Sequence, residues 1–270
     1  MKGVEMKFLV LATILIASLA FANEASEGLR AEVPNDTYSG AMVPTGWDGP
    51  LAELFTTGDW CNSIGSGVGG MDESILYDPG TTYGYGCQLS ADNFIADDFE
   101  VPAGETWTIE GFTCGGYQTG SGTAPTINGI YLAGYDDPPT TGTMIYGDYG
   151  TNIFTSAIWS DIYRVNTAGS GTNSDRPIMA VTAVLSTPWV VTEGTYWVGW
   201  QFDGTASSGP WAPPVVAPTM TDTGNGLQSV DGGILWEPVN NGGFPQGFLM
   251  IIEGTSALEH TTWGEIKTVF

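Results

Sequence analysis

Tryptophan is the residue whose abundance in this sequence most plainly suggests binding chemistry. Ten tryptophans and eleven tyrosines occur among the 270 residues, more than we expect a core of this size to need. An exposed indole ring can stack on a sugar while Asp and Asn side chains bond its hydroxyl groups. The alternative is that most of these rings lie in the core. A glycan-binding surface would draw on Trp107, Trp189, Trp197, Trp211 and Trp236.

Two groups of aspartates offer oxygen ligands to a cation. The net charge of −24 favours cations, and Ca²⁺ prefers carboxylate and carbonyl oxygens. Neither group has EF-hand spacing, and turn capping or simple solvation is the alternative. Neighbouring residues of a flat strand point to opposite faces, so the first group would need a bend or an edge position. The predicted calcium ligands are Asp92, Asp97 and Asp98 in one group and Asp136 and Asp137 in the other.

Glycoside cleavage is the enzymatic chemistry that the composition permits, because it requires only two carboxyl groups. A histidine-dependent nucleophile is not expected, since the single histidine, His260, lies in the terminal segment. Phosphoryl transfer is disfavoured, because Arg164 and Arg176 are the only bases predicted within the β-rich body. The candidate catalytic acids are Asp97, Asp98, Glu110, Asp161, Glu237 and Glu253.

The three cysteines allow one disulfide bond in an oxidising compartment. We predict that Cys61 pairs with Cys87, because both lie in Gly-rich segments without a strand pattern. Cys114 falls in a predicted strand and is expected to be a buried thiol, although a pair between Cys87 and Cys114 stays open. The spacing does not resemble a zinc site.

Short strands must position these residues. The sequence contains 39 glycines and 16 prolines, which separate runs rich in Val, Ile, Thr, Tyr and Trp. In residues 195–202, Val198, Trp200 and Phe202 share one face and Trp197 lies on the other, so Trp197 is expected to be exposed. Residues 178–185 alternate in the same way. This pattern predicts an all-β fold, an antiparallel β-sandwich of jelly-roll-like form.

The amino-terminal residues read as a secretory signal. Lys2 and Lys7 precede an uncharged apolar run, and Ala20 and Ala22 are the small residues before a cut at Asn23. The run is shorter than the roughly 20 residues of a membrane-spanning helix, so we favour secretion over an anchor. No membrane span is expected after the signal is removed. We divide the chain into a signal peptide (1–22), a flexible leader (23–42), the β-sandwich domain (43–254) and a carboxy-terminal tail (255–270).

The carboxy-terminal tail carries the best helix pattern in the sequence. Ser256 can cap a helix, and Glu259 follows three residues later as in a capping box. Trp263, Ile266 and Phe270 fall on one stripe. We therefore predict a short helix that begins at Ser256.

The charge balance limits the partners. Acidic residues number 30 against six Lys and Arg, and such a surface repels nucleic acid and anionic lipid. Charged residues make up 13% of the chain and hydrophobic residues 42%, so a packed fold is expected rather than a disordered acidic tail.

Seven phrases resemble those of secreted bacterial β-sandwich domain proteins that have no assigned activity. Related forms in that group read "ADDF-VPAG-TW" and "SGPWAPP". The resemblance implies an extracellular jelly-roll-like sandwich and supplies no catalytic residues. The phrases lie at residues 96–112, 160–165, 174–179, 193–201, 208–215, 223–228 and 245–254.

Three functions follow from these observations. The first is a secreted, non-catalytic domain that binds a glycan or joins a surface or matrix assembly, with Ca²⁺ as a possible stabilising ion. The second is a carbohydrate-active enzyme with paired carboxylates. The third is a structural subunit of a surface layer or filament that assembles through strand edges.

Overall fold

The chain folds as an all-β protein. The computed structural model describes residues 51–258, together with the backbone of Asn23–Ala25. Strands make up 55% of it, and the described residues contain no helix of seven or more residues. Within them, no helical segment has the length and apolar character needed to cross a membrane. The predicted all-β class is therefore confirmed.

Fifteen strands occur in the described residues, separated by turns, loops and three short 3-10 helices. They are β1 Asn23–Ala25, β2 Glu53–Thr56, β3 Asp72–Leu76, β4 Thr82–Gly86, β5 Phe94–Gly116, β6 Ile127–Tyr135, β7 Met144–Asp148, β8 Ser156–Asn166, β9 Pro177–Gly204, β10 Trp211–Ala212, β11 Leu227–Ser229, β12 Glu237–Pro238, β13 Asn240–Asn241, β14 Phe244–Pro245 and β15 Met250–Leu258.

Two long antiparallel strands, β5 and β9, organise a β-sandwich-like body. Their pairing is interrupted between Val101 and Thr106, which divides each strand into two arms. The arm of β5 that begins at Phe94 pairs with β11, and the facing arm of β9 pairs with β6. The other arm of β5 pairs with β15, and its partner arm of β9 pairs with β8. Each pair of arms is thus the centre of one layer.

The main core lies between these arms. Phe99 from one arm of β5 stacks on Trp107 from the other, with ring centroids 6.1 Å apart and an interplanar angle of 6°. Trp200 and Phe202 are fully buried in the same cluster, which confirms the apolar face predicted for this part of β9. Phe248 meets Trp200 edge-on from the far side of the cluster.

Two local predictions are corrected by long-range contacts. The helix predicted to begin at Ser256 does not begin there, because β15 continues to Leu258 and pairs Ser256 with Trp107. Residues 259–270 lie outside the described part of the chain. The strand forms instead of the helix because its backbone makes hydrogen bonds with β5, whereas a short isolated helix has marginal stability in water.

The predicted disulfide bond between Cys61 and Cys87 is wrong, since all three cysteines are free and buried. Cys61 packs in a small cluster with Trp60, whereas Cys87 belongs to the main core together with Cys114. Backbone bonds hold Cys87 between two strands, because its carbonyl accepts the Phe202 N–H at 2.7 Å. The Gly-rich segments are therefore fixed in place and keep the two thiols in different clusters.

We predict three unreactive thiols in the native chain. Burial raises the pKa of the Cys61 thiol to about 12 and the pKa values of Cys87 and Cys114 further above their ordinary range, and the reactive form is the thiolate. A thiol reagent should label no cysteine in buffer and all three in denaturant without reductant. Fewer than three labelled thiols in denaturant would contradict the free state, and an equal melting temperature with and without reductant is the control.

Candidate functional site

An open cleft of about 300 Å³ lies beside the β11–β12 hairpin. Its volume is at the lower end of the range for small-ligand sites. The lining mixes carboxylates and amides with apolar side chains and contains no base. It is formed by Tyr85, Gln228, Val230, Asp231, Leu235, Glu237, Pro238, Val239 and Asn240.

The hairpin holds the polar side chains of the cleft in register. Gln228 of β11 pairs directly with Glu237 of β12, and Gln228 also pairs with Ile95 of β5. The Gln228 amide donates to the Gly86 carbonyl at 2.9 Å. This edge of the cleft is therefore fixed to both β4 and β5.

Asp231 organises the loop of the hairpin. Its carboxylate accepts the Ser229 hydroxyl at 2.8 Å and the Leu235 N–H at 2.9 Å. The Leu235 N–H, with help from Ser229, lowers the pKa of Asp231, so this group is an anion at neutral pH. Gly232 and Gly233 have φ values of 78° and 82°, a conformation that glycine adopts without strain.

The floor of the cleft is rigid and its rim is apolar. Tyr85 is 2% exposed, and its hydroxyl donates to the Asn240 carbonyl at 2.7 Å. Val230, Ile234 and Leu235 are exposed around the loop. Ile234 is the extreme case, at 85%. A ligand in this cleft would meet both hydrogen-bonding groups and aliphatic surface.

The five tryptophans predicted to bind a glycan do not form an exposed aromatic face. The exposed fraction of each ring is between 4% and 7%, so the expectation that Trp197 is exposed is wrong. The face that carries Trp197 is covered, because the hairpin residue Trp236 joins the cluster formed by Trp197 and its neighbour on β6, Tyr135. The other three buried tryptophans of this set are Trp107, Trp189 and Trp211.

Trp236 is the predicted aromatic that lies nearest the cleft. It sits between Leu235 and Glu237, which both line the cleft, but its own ring packs inward against Phe94. The indole N–H donates to the Gly233 carbonyl at 3.1 Å. Trp236 therefore supports the loop from below and presents no open ring surface.

The predicted calcium ligands do not converge. Within residues 51–258, no group of three or more His, Cys, Asp or Glu side chains is arranged to hold a metal ion. Asp97 is buried and accepts the Phe248 N–H, whereas Asp98 accepts from Asn225. This separation is the one expected of neighbours on a flat strand.

The other predicted ligands have structural roles in turns. Asp136 accepts the Thr143 N–H and Asp137 accepts the Thr141 hydroxyl, which closes the turn between β6 and β7. The Asp92 carbonyl accepts the Gly232 N–H at 3.0 Å, so Asp92 contacts the loop beside the cleft. The contacts of Asp136 and Asp137 fit the turn-capping alternative.

The carboxyl groups with raised pKa values lie outside the cleft. Burial raises the pKa of Asp97 to about 7, and it also raises the pKa of Glu253. Glu253 is 0% exposed, and its Oε2 accepts the Thr113 hydroxyl. Of the acids that the sequence proposed for catalysis, Glu237 alone lines the cleft. Asp98, Glu110 and Asp161 line none of the three cavities described in this article.

Sequence reasoning missed most of the cleft. Gln228, Asp231 and Asn240 were not among its candidates, although an Asp-Gly-Gly turn between two short apolar runs is a hairpin signal.

A second cavity of about 250 Å³ lies near β7, with Tyr146 and Thr187 in its lining. The hydroxyl of Tyr146 donates to the Thr187 carbonyl and holds the two walls together.

No protein-family model, curated protein or solved structure matches this chain.

We predict that Asp97 makes stability pH-dependent. Its pKa of about 7 in the fold exceeds the unfolded value of about 3.9, so its contribution is full below about pH 4 and is lost as the pH rises through 7. The free energy of unfolding should fall by roughly 3–4 kcal/mol across this range. Denaturant titrations at several pH values measure it.

Two variants test whether Asp97 causes this pH dependence. Asp97→Asn removes the titration and should flatten the pH dependence, with a residual slope from Glu253. Asp175→Asn is the control and should keep the full slope, because Asp175 is an exposed acid in the loop before β9 and does not contribute to the raised pKa of Asp97. Equal slopes in the two variants would contradict the assignment.

Proposed function

We propose that this chain is a secreted, non-catalytic binding module whose β11–β12 cleft holds a neutral, hydroxyl-rich ligand such as a saccharide. The observation that carries the proposal is the lining of the cleft, where Gln228, Glu237 and Asn240 surround a volume of about 300 Å³. Amides and carboxylates match sugar hydroxyls as donors and acceptors. Leu235 and Pro238 match the apolar C–H face of a ring.

The charge of the cleft supports a neutral ligand over an anionic one. Asp231 and Glu237 are its ionisable acids and no Lys, Arg or His lines it. The whole chain adds a net charge of −24. An anionic ligand would be repelled both locally and at long range, which disfavours nucleic acids and acidic polysaccharides as partners.

Binding is favoured over hydrolysis by the pKa pattern. A glycosidase needs one carboxyl group that stays protonated near its working pH. Asp231 is the cleft carboxyl with a shifted pKa, and the shift is downward. Its oxygen is also engaged by the loop backbone, so it is poorly placed to give up a proton.

The amino-terminal pattern and the seven phrases support export and an extracellular site of action. Secreted domains with such phrases have no assigned catalytic residues, which agrees with a binding role. The proposal does not depend on Ca²⁺, because the cleft side chains are held by hydrogen bonds within the hairpin.

The test is a glycan array probed with the purified chain and three variants. We expect a neutral glycan to bind, and Glu237→Ala and Asn240→Ala to weaken it about tenfold each through a lost hydrogen bond. Both side chains are exposed, so the fold should persist. Glu100→Ala is the matched control and should bind normally, because Glu100 is an exposed acid of β5 that does not line the cleft. Equal binding by all variants would exclude the cleft, and an array without signal would exclude the ligand class.

Assembly through β7 is a second candidate function. In the described residues β7 is the last strand at one end of the sheet, so one side of its backbone is open to another strand. Met144 and Ile145 on this strand are 43% and 45% exposed. An apolar open edge is the usual site for strand addition.

We predict weak self-association that depends on β7. Sedimentation of the chain at increasing concentration should show oligomers, and Ile145→Lys should shift them to monomers because edge charges oppose pairing. Ile234→Lys, which changes an exposed isoleucine away from this edge, is the control and should leave association unchanged. A chain that stays monomeric at all concentrations would remove assembly as a function.

A further inference from the structure

Two arginines that are adjacent in space lie within an otherwise acidic protein. Arg164 of β8 is 1% exposed. Its backbone N–H donates to the backbone carbonyl of Arg176 at 2.8 Å. The guanidinium of Arg176 lies 3.9 Å from the centre of the Tyr83 ring. The chain has six Lys and Arg residues in total, so placing two of them together is a marked concentration of positive charge.

The hydrogen bonds of the Arg164 side chain go to neutral groups. Within residues 51–258, its Nε donates to the Tyr83 carbonyl at 2.9 Å and its Nη1 to the Ser74 hydroxyl at 3.0 Å. A guanidinium has five N–H donors, and these two bonds use only part of that capacity. Neither partner supplies the negative charge that a buried cation requires.

Burial of this charge is costly without compensation. Removing an ion from water costs several kcal/mol even after relaxation, and arginine cannot give up its proton at neutral pH. Burial lowers the pKa of Arg164 to about 10, and the nearby Arg176 acts in the same direction. The Tyr85 phenol stays neutral, since burial raises its pKa above the ordinary range.

Arg164 also lines a small cavity. Its volume is about 20 Å³, which is enough for one occupant of about the size of a water molecule. Thr219, Thr221 and Thr223 line the same cavity. Thr219 and Thr221 are exposed, and the Thr223 hydroxyl accepts the Gly247 N–H at 3.3 Å. A hydroxyl group can donate a hydrogen bond to an anion. Aliphatic surface from Ile75 and other residues makes up most of the remaining wall.

We propose that this cavity is a structural site for a small monovalent anion of halide size, held by the Arg164 guanidinium. A buried cation, hydroxyl groups and a volume of about 20 Å³ suit a single small anion such as chloride. Because the anion binds the folded state, it stabilises the β3–β8 edge of the sandwich. The site is separate from the β11–β12 cleft.

The test compares thermal unfolding of the full chain in sodium chloride and in sodium gluconate at equal concentrations. The two salts share their cation and ionic strength, but gluconate is too large for the cavity. Above the dissociation constant, each tenfold rise in chloride should raise the melting temperature by about 4 °C relative to gluconate. Equal melting temperatures in the two salts would overturn the proposal.

Variants locate the effect. Arg164→Met keeps the length of the side chain and removes its charge, so the chloride dependence should be lost. If this variant does not fold, Thr221→Val tests the same cavity from an exposed position and should reduce the dependence. Thr141→Val, on the turn before β7, is the control and should keep it. A chloride effect that persists in Thr221→Val and in every folded Arg164 variant would overturn the site.

Bromide provides an independent measurement. Crystals grown in sodium bromide should give an anomalous peak within hydrogen-bond distance of the Arg164 guanidinium. A difference map without that peak, at a bromide concentration that raises the melting temperature, would place the anion elsewhere and overturn the proposal.

Discussion

The ladder between β5 and β9 is the constraint on which the other elements depend. It runs along both long strands and is interrupted after Val101 and again after Ile109, so the same two strands form the centre of both layers. Their neighbours attach to one arm or the other, and the stack of Phe99 on Trp107 joins the arms across the core. Relative movement of the layers is therefore limited by covalent continuity as well as by packing, because neither layer can slide without bending β5 and β9.

Some of the phrases that suggested a relationship meet at one place in this fold. Asp97 accepts the Phe248 N–H at 2.6 Å, the Val215 N–H donates to the Gly247 carbonyl, and the Gly247 N–H donates to the Thr223 hydroxyl. Four of the seven phrases contribute to these contacts. In this chain they form a junction between the first arm of β5 and the loops that precede β15.

The sequence predicted what depends on local pattern and missed what depends on distant partners. Alternation correctly placed Trp200 and Phe202 in the core, because the period of a strand is a local property. The same alternation suggested that Trp197 is exposed, yet the β11–β12 hairpin covers that face. The pairing of Ser256 with Trp107 joins segments whose proximity no local pattern specifies. The facing of Gln228 and Glu237 follows from the Asp-Gly-Gly turn between them, a local signal that sequence reasoning missed.

The long ladder also has a kinetic consequence. Ile95 pairs with Trp200 and Ile109 with Trp189, so the central contacts join segments that are far apart in the chain. Folds of such high contact order close slowly, because the entropy of a large loop is lost before the pairing compensates for it. During synthesis β5 emerges long before β9 and remains an apolar strand without its partner. Early folding of β5 is thereby slowed. For the export that we propose, this delay would keep the chain in the unfolded form that a translocation channel requires until β9 has been made.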